Sequence, residues 1–189
     1  MVQYLETLHP TERPYQVFAS EEGAWEKSAP KMSHLRVVPV LVNRVAEEEA
    51  LLDSGSQIVL MTREVAAANK ITWDPLLSIQ LQSANRSLSR TCGLAKNVPF
   101  ILGDVTVLLQ AHVMDVAPYK ILLGRPFDTI TESMIVNDRE GNQTINITCP
   151  NTGTRAAIPT YKRGSLPRKP ARVSGAFSLS LEESEETSR

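Results

Sequence analysis

The sequence predicts a mostly β domain: a small, closed, barrel-like sheet of about seven or eight short strands with one or two short helices. Three observations predict it. Short apolar runs rich in Val, Ile and Leu recur between residues 35 and 147, each bounded by turn-forming clusters. Hydrophobic residues make up 42% of the chain but aromatics only 5%, so the core is aliphatic. A length of 189 residues supports one domain of ordinary size with flanks.

The boundaries follow from composition. Residues 1–33 are mixed and polar, with Pro10, Pro14 and Pro30, and read as an N-terminal arm or linker. Within it, Glu21–Lys27 reads as a short helix or as plain linker, and Trp25 as a docked side chain or a stray aromatic. Residues 34–150 carry the strand pattern and form the domain. From Asn151 the pattern stops. Arg155, Lys162, Arg163, Arg168, Lys169 and Arg172 occur with no acidic residue before Glu182, and Pro159, Pro167 and Pro170 interrupt any period. Residues 151–189 therefore read as a disordered tail, basic and then acidic.

Within the domain, Leu35–Asn43 reads as the first strand, with Pro39 at an edge or irregular start because it lacks an N–H. Arg44–Glu49 is a charged turn and Ala50–Asp53 the returning strand, so the hairpin delivers Asp53 at its end. Ser56–Met61 continues beyond a tight loop. Thr62–Lys70 reads as a helix: Thr62 is a good N-cap, Glu64 suits the first turn, and alanines follow. Leu77, Ile79 and Leu81 alternate with polar neighbours, which predicts a half-buried strand over 76–82. A polar tip at 83–90 and a return at Thr91–Leu94 complete a hairpin. Val98–Leu102 and Val105–Val113 pair across Gly103-Asp104. Ile121–Gly124 is short, wholly apolar and central. Pro126 fits the first turn of a helix with Phe127 and Ile130 inward. Met134–Val136 and Thr144–Ile147 form a last hairpin around the turn cluster Asn137–Asn142.

One loop stands out. Asp53, Ser54 and Gly55 lie between the apolar runs Ala50–Leu52 and Ile58–Met61. Asp-Ser-Gly alone is ordinary hairpin chemistry. The flanks are too apolar for a solvent-facing hairpin, however. Flanking strands would also hold Asp53 stiffly, as a catalytic acid requires. Gly55, without a Cβ, lets another group approach closely.

Composition excludes several classes. The formal charge of −1 gives no pull toward nucleic acid or an anionic membrane. The basic run near the C-terminus offers only Tyr161 and Phe177 for stacking, which argues against nucleic acid. No apolar run resembles a signal peptide or membrane span, so a cytoplasmic location is expected. His9, His34 and His112 are scattered, and neither Cys92 nor Cys149 has a CxxC partner, so no metal or other cofactor is expected. The two cysteines either form one disulfide or stay free; free thiols in a reducing compartment are the simpler reading.

Leu-Leu-Asp-Ser-Gly-Ser at 51–56, followed by Ile-Leu-Leu-Gly-Arg-Pro at 121–126, resembles the retropepsins, the aspartic proteases of retroviruses and retrotransposons. With Phe127 next, the second motif is most similar to Ty3/Gypsy-type versions. The resemblance covers roughly residues 34–150. It implies Asp53, Ser54 and Gly55 as the catalytic triplet and Gly124 and Arg125 as structural support. It also implies a substrate-binding flap over Gln82–Cys92. Ser56, Gln57, Ser83, Ala84, Asn85 and Leu123 are the candidate flap and pocket residues. The implied activity is aspartic endopeptidase on polypeptide substrates, without cofactor, for polyprotein processing in the cytoplasm or in retrotransposon particles. Two carboxylates are needed, and the chain has one Asp-[Ser/Thr]-Gly and too little length for two lobes. The resemblance therefore implies a homodimer with Asp53 beside its counterpart on a two-fold axis and Ser54 bonding across it.

Two departures stand out. Gln57 occupies a position often acidic in retroviral enzymes, so Arg125 has at most an amide to bond there. The flap region has only Gly93 near its base, where retroviral flaps are glycine-rich. A retropepsin-like dimerisation or binding module without turnover is therefore the alternative. A serine hydrolase using Ser54 or Ser56 lacks both a Gly-x-Ser-x-Gly elbow and placed histidines.

Overall fold

The computed structural model describes residues 33–82, 86 and 88–167. The order is β1 (Arg36–Val42), β2 (Ala46–Leu52), β3 (Val59–Thr62), α1 (Arg63–Ala68), a 3-10 turn (Pro75–Leu77), β4 (Gln80–Gln82) and β5 (Leu88–Arg90). Then come β6 (Gly93–Leu102), β7 (Val105–Met114), β8 (Ile121–Leu123), α2 (Arg125–Thr131), β9 (Met134–Asn137), β10 (Gln143–Thr148), β11 (Arg155–Pro159) and β12 (Tyr161–Lys162).

Six strands, in the order β1-β2-β8-β3-β7-β6, close into a barrel through β1–β6 pairing at Leu41↔Ile101 and Val42↔Phe100. This is the mostly β, closed-sheet architecture expected. β12 pairs with the start of β1 at Arg36 and Val37. Pro39 falls between the stretches of β1 paired to β12 and to β6, where no ladder bond is lost. A hairpin of β4 and β5 and a small sheet β11-β10-β9 complete the domain.

The central strands bury both faces. Ala50, Val59, Met61, Ile121 and Leu123 face the barrel interior with Phe100, Leu102 and Phe127. Their alternating neighbours Leu51, Leu60 and Leu122 join Val37 in a second cluster outside the barrel, against Ile58, Leu81, Tyr119, Tyr161 and Leu166. A strand buried on both faces reads as an uninterrupted apolar run, which is why the segments around Asp53 look too apolar for a hairpin.

Helix α1 begins as expected, with the Thr62 hydroxyl accepting from the Val65 N–H at 3.3 Å. The Gly103-Asp104 turn joins β6 and β7, and Asp138 closes the β9–β10 turn by accepting from the Asn142 backbone N–H at 2.7 Å.

Several expectations need correction. The first hairpin turns at 43–45, and Ala46–Glu49 belong to β2, because alternate glutamates point outward from a half-buried strand. The strand expected over 76–82 starts only at Gln80. Pro75 opens a 3-10 turn and the Asp74 carboxylate caps it at Leu76 N–H, 3.0 Å away. Ile130 is 39% exposed; Thr131, not Ile130, is the second α2 side chain buried with Phe127. The disordered tail does not begin at 151. β11 pairs with β10 over five residues, burying Ile158, and β12 extends the barrel sheet. The prolines and arginines that masked these strands lie at exposed or terminal positions. The arm at 1–33, with its helix and Trp25, and the end of the tail lie outside the described residues, among which no helix is long and apolar enough to cross a membrane.

His112 lies on β7 beside Leu60 and Leu94. Its Nδ1 is buried with no hydrogen-bond partner among the described residues. Burial lowers its pKa, partly offset by a backbone contact with Gly93. A histidine protonated less readily when folded contributes stability above its unfolded pKa of about 6.5 and loses it as pH falls through the folded value. His112→Leu is expected to flatten the fall of melting temperature between neutral pH and the acid side. Parallel wild-type and variant curves would show that folding leaves the His112 pKa unshifted.

Candidate active site

Strand β8 lies between β2 and β3, parallel to β2 (Leu52↔Leu123) and antiparallel to β3 (Leu60↔Leu122). The loop from Asp53 to Ile58 must therefore pass around the end of β8. That topology ties the two sequence motifs together. The Asp53 N–H donates to Leu123 O at 3.0 Å, and the Arg125 N–H donates to Ser56 O at 2.9 Å. Gly124 lies against the loop so closely that an added Cβ would stand 2.2 Å from Ile58 O and 2.7 Å from Ser56 O. Only a residue without a side chain fits.

Within the loop, the Gly55 N–H donates to Asp53 Oδ1 at 3.0 Å and the Ser56 N–H to Asp53 O at 3.0 Å. These bonds, with the ladder bond to Leu123, fix both the backbone and the carboxylate of Asp53. The other carboxylate oxygen remains for a reactant. Asp53 is half-buried, while Ser54 and Gly55 are exposed. The Ser54 hydroxyl has no hydrogen-bond partner among the described residues.

Asp53 lines a cleft of about 800 Å³ with Gly55, Ser56, Gln57 and Ile58 on the loop side and Ile79–Gln82 opposite. Leu60, Leu122 and Tyr119 also line it. Ser56 and Gln57 line this cleft. Leu123 does not: it is 1% exposed inside the barrel, and Leu122 reaches the cleft. Neighbouring strand residues face opposite ways, so a one-residue misreading swaps core for cleft. β4 and β5 pair as a hairpin within the stretch read as a flap, and the candidates Ser83, Ala84 and Asn85 lie outside the described residues.

Sequence reasoning missed Tyr119. Burial and the nearby Asp53 carboxylate both raise its pKa, burial most. Its phenol is therefore neutral wherever a carboxylate site would operate. The signal available was its place just before β8. Arg125 is exposed, and its guanidinium makes no hydrogen bond to Gln57 among the described residues. Both side chains instead line a shallow hollow of about 500 Å³ with Pro126, Thr129 and Ile130. Among the described residues no group of three or more His, Cys, Asp or Glu side chains is arranged to hold a metal ion. Cys92 and Cys149 are free thiols.

Comparison with known proteins agrees with this geometry. A model of the aspartyl protease family matches residues 38–127, from β1 into α2. No curated protein matches the chain. Among solved structures it is similar to the retroviral protease-like domain of Ddi1 from Leishmania major, with 17% sequence identity and a TM-score of 0.54. That alignment covers 71% of this chain and 100% of the other. The fold is retropepsin-like.

Proposed function

We propose that this retropepsin-like domain is an aspartic endopeptidase, which hydrolyses polypeptides with a water held between two Asp53 carboxylates from two identical chains. The observation that carries the reading is the placement of Asp53. Its carboxylate is fixed by Gly55, its backbone by Leu123, and it opens onto a cleft of about 800 Å³.

The chemistry needs a base and an acid together. Two adjacent carboxyls share one proton because both cannot ionise so close. The ionised one takes a proton from water as the oxygen attacks the peptide carbonyl carbon. The protonated one gives its proton to the carbonyl oxygen. Collapse of the tetrahedral intermediate breaks the C–N bond, and the amine leaves with a proton. Since each chain brings one such aspartate, a two-fold axis beside Asp53 completes the site. Ser54, exposed next to Asp53, would bond across that axis. Strand β9 also supports a second copy. Among the described residues it pairs only with β10, and Met134, Ile135 and Val136 are 61%, 37% and 49% exposed with no charge between them.

Polyprotein processing in a Ty3/Gypsy-type retrotransposon, in the cytoplasm or within its particles, is the setting suggested by the Gly124-Arg125-Pro126-Phe127 form of the second motif. The test is hydrolysis of a peptide library by the purified chain. Cleavage should be blocked by pepstatin-type inhibitors and follow a bell-shaped pH profile on the acid side of neutrality. A second reading, a binding module without turnover, is favoured by Gln57 and by the missing bond from Arg125 to it. Binding of peptides without any cleavage would select it.

A further inference from the structure

The hollow beside Arg125 adjoins the catalytic cleft. Gln57, near the end of the Asp53 loop, lines both. The other walls of the hollow are Arg125, Pro126, Thr129 and Ile130, all from α2. Its volume is about 500 Å³, against about 800 Å³ for the cleft. A peptide that lies across Asp53 and extends past Gln57 enters this hollow.

Arg125 is the charged residue on its walls, and among the described residues no carboxylate forms an ion pair with its guanidinium. Asp128, in the same turn of α2, is the acid nearest in sequence, but its carboxylate accepts from the Ser133 hydroxyl at 2.7 Å. Gln57 is a neutral amide. The main chain of Arg125, by contrast, is held. Its N–H donates to Ser56 O at 2.9 Å, and the preceding Gly124 is wedged against Ser56 O and Ile58 O. The cation is thus carried on backbone that rests on the Asp53 loop, so the fold sets its place relative to the reacting carboxylate. A guanidinium presents a planar fork of donors that fits a carboxylate with two parallel hydrogen bonds. Pro126 and Ile130 supply an apolar wall for the methylenes that carry such a carboxylate.

We propose that Arg125 is a specificity residue, which selects a glutamate or aspartate side chain that the substrate places in this hollow. The inference rests on the endopeptidase reading above and gives it a substrate class: peptides with an acidic residue flanking the cut. A two-fold axis beside Asp53 would set one hollow on each side of the scissile bond at equal spacing. A peptide acidic on both flanks then meets both arginines.

The test compares kcat/KM for one peptide carrying Glu, Gln or Lys at each position on either side of its cut. It is run at about pH 6, where a glutamate side chain of pKa about 4.3 is ionised. Wild type is expected to prefer Glu to Gln about threefold at one position on each flank, and about tenfold when both positions are Glu. High salt should erase the preference. Arg125→Gln should lose it and Arg125→Glu should invert it in favour of Lys, each ratio being taken within one variant and so independent of its overall rate. Wild type that cuts all the peptides equally well, or Arg125→Gln that keeps the preference, overturns the role of Arg125 and leaves the endopeptidase reading standing. Fluorescence anisotropy of the same peptides, labelled, on Asp53→Asn covers the case of no cleavage by wild type. Tighter binding of the Glu peptide, lost in the Asp53→Asn, Arg125→Gln double variant, then overturns the endopeptidase reading and keeps the acidic selection. No charge preference in binding overturns both.

Discussion

Asp53→Asn is expected to abolish peptide hydrolysis, by at least roughly 10³-fold, while leaving fold and association intact. The amide matches the carboxylate in shape, and its oxygen can still accept the Gly55 N–H that fixes the loop at 3.0 Å. It cannot take a proton from water. Replacing both aspartates of a dimer removes base and acid together, so no residual pathway through the pair remains. The substitution also relieves repulsion between two carboxylates, so melting temperature should hold or rise slightly. Turnover, melting temperature and sedimentation of the variant check this. Wild-type cleavage by Asp53→Asn would remove Asp53 from the mechanism. Loss of cleavage with loss of fold would assign Asp53 to the loop's structure instead.

Gly124→Ala is expected to destabilise the domain by roughly 3 kcal/mol and to silence the site. Backbone freedom is not the reason: its φ of −98° is open to any residue. The reason is space. The new methyl group would meet two carbonyl oxygens, Ile58 O at 2.2 Å and Ser56 O at 2.7 Å, and backbone atoms cannot swing aside as a side chain can. Either β8 moves out from between β2 and β3, or the Asp53 loop lifts from it. Both break the bonds Asp53 N–H to Leu123 O and Arg125 N–H to Ser56 O. Gly141 gives the contrast. It has φ +82° and nothing near its Cβ position, so Gly141→Ala should cost only about 1 kcal/mol. Urea unfolding midpoints of the two variants measure the difference. Equal midpoints would mean that the loop does not rest on Gly124.

These two positions were the most legible in the sequence. A carboxylate in a small polar loop between apolar runs, and a glycine ending a wholly apolar triplet, each need a special physical reason. The fold brings the two together as a single contact. The barrel was legible for the same cause, since Val- and Ile-rich runs between turn clusters have few other uses. Facing was not. Leu122 and Leu123 are chemically alike, and polarity carries no sign of which one points inward when both faces of β8 are buried. Ile130 failed likewise, because a seven-residue helix gives too few turns to set its phase. β11 and β12 were hidden by prolines and arginines, whose cost vanishes at a strand end or on an exposed face. Tyr119 reaches the cleft only because β8 crosses beneath the loop, a non-local fact that no local pattern records.

The central claim is that the catalytic unit is two chains with one aspartate from each. The most direct measurement is specific activity across a dilution series, with sedimentation of the same samples and with Asp53→Asn chain added in excess to a parallel set. The shared site predicts that specific activity falls in step with the dimer fraction. It also predicts that excess Asp53→Asn suppresses activity beyond dilution, because mixed dimers hold a single carboxylate. Constant specific activity in samples that sediment as monomers, undiminished by the variant, would contradict it.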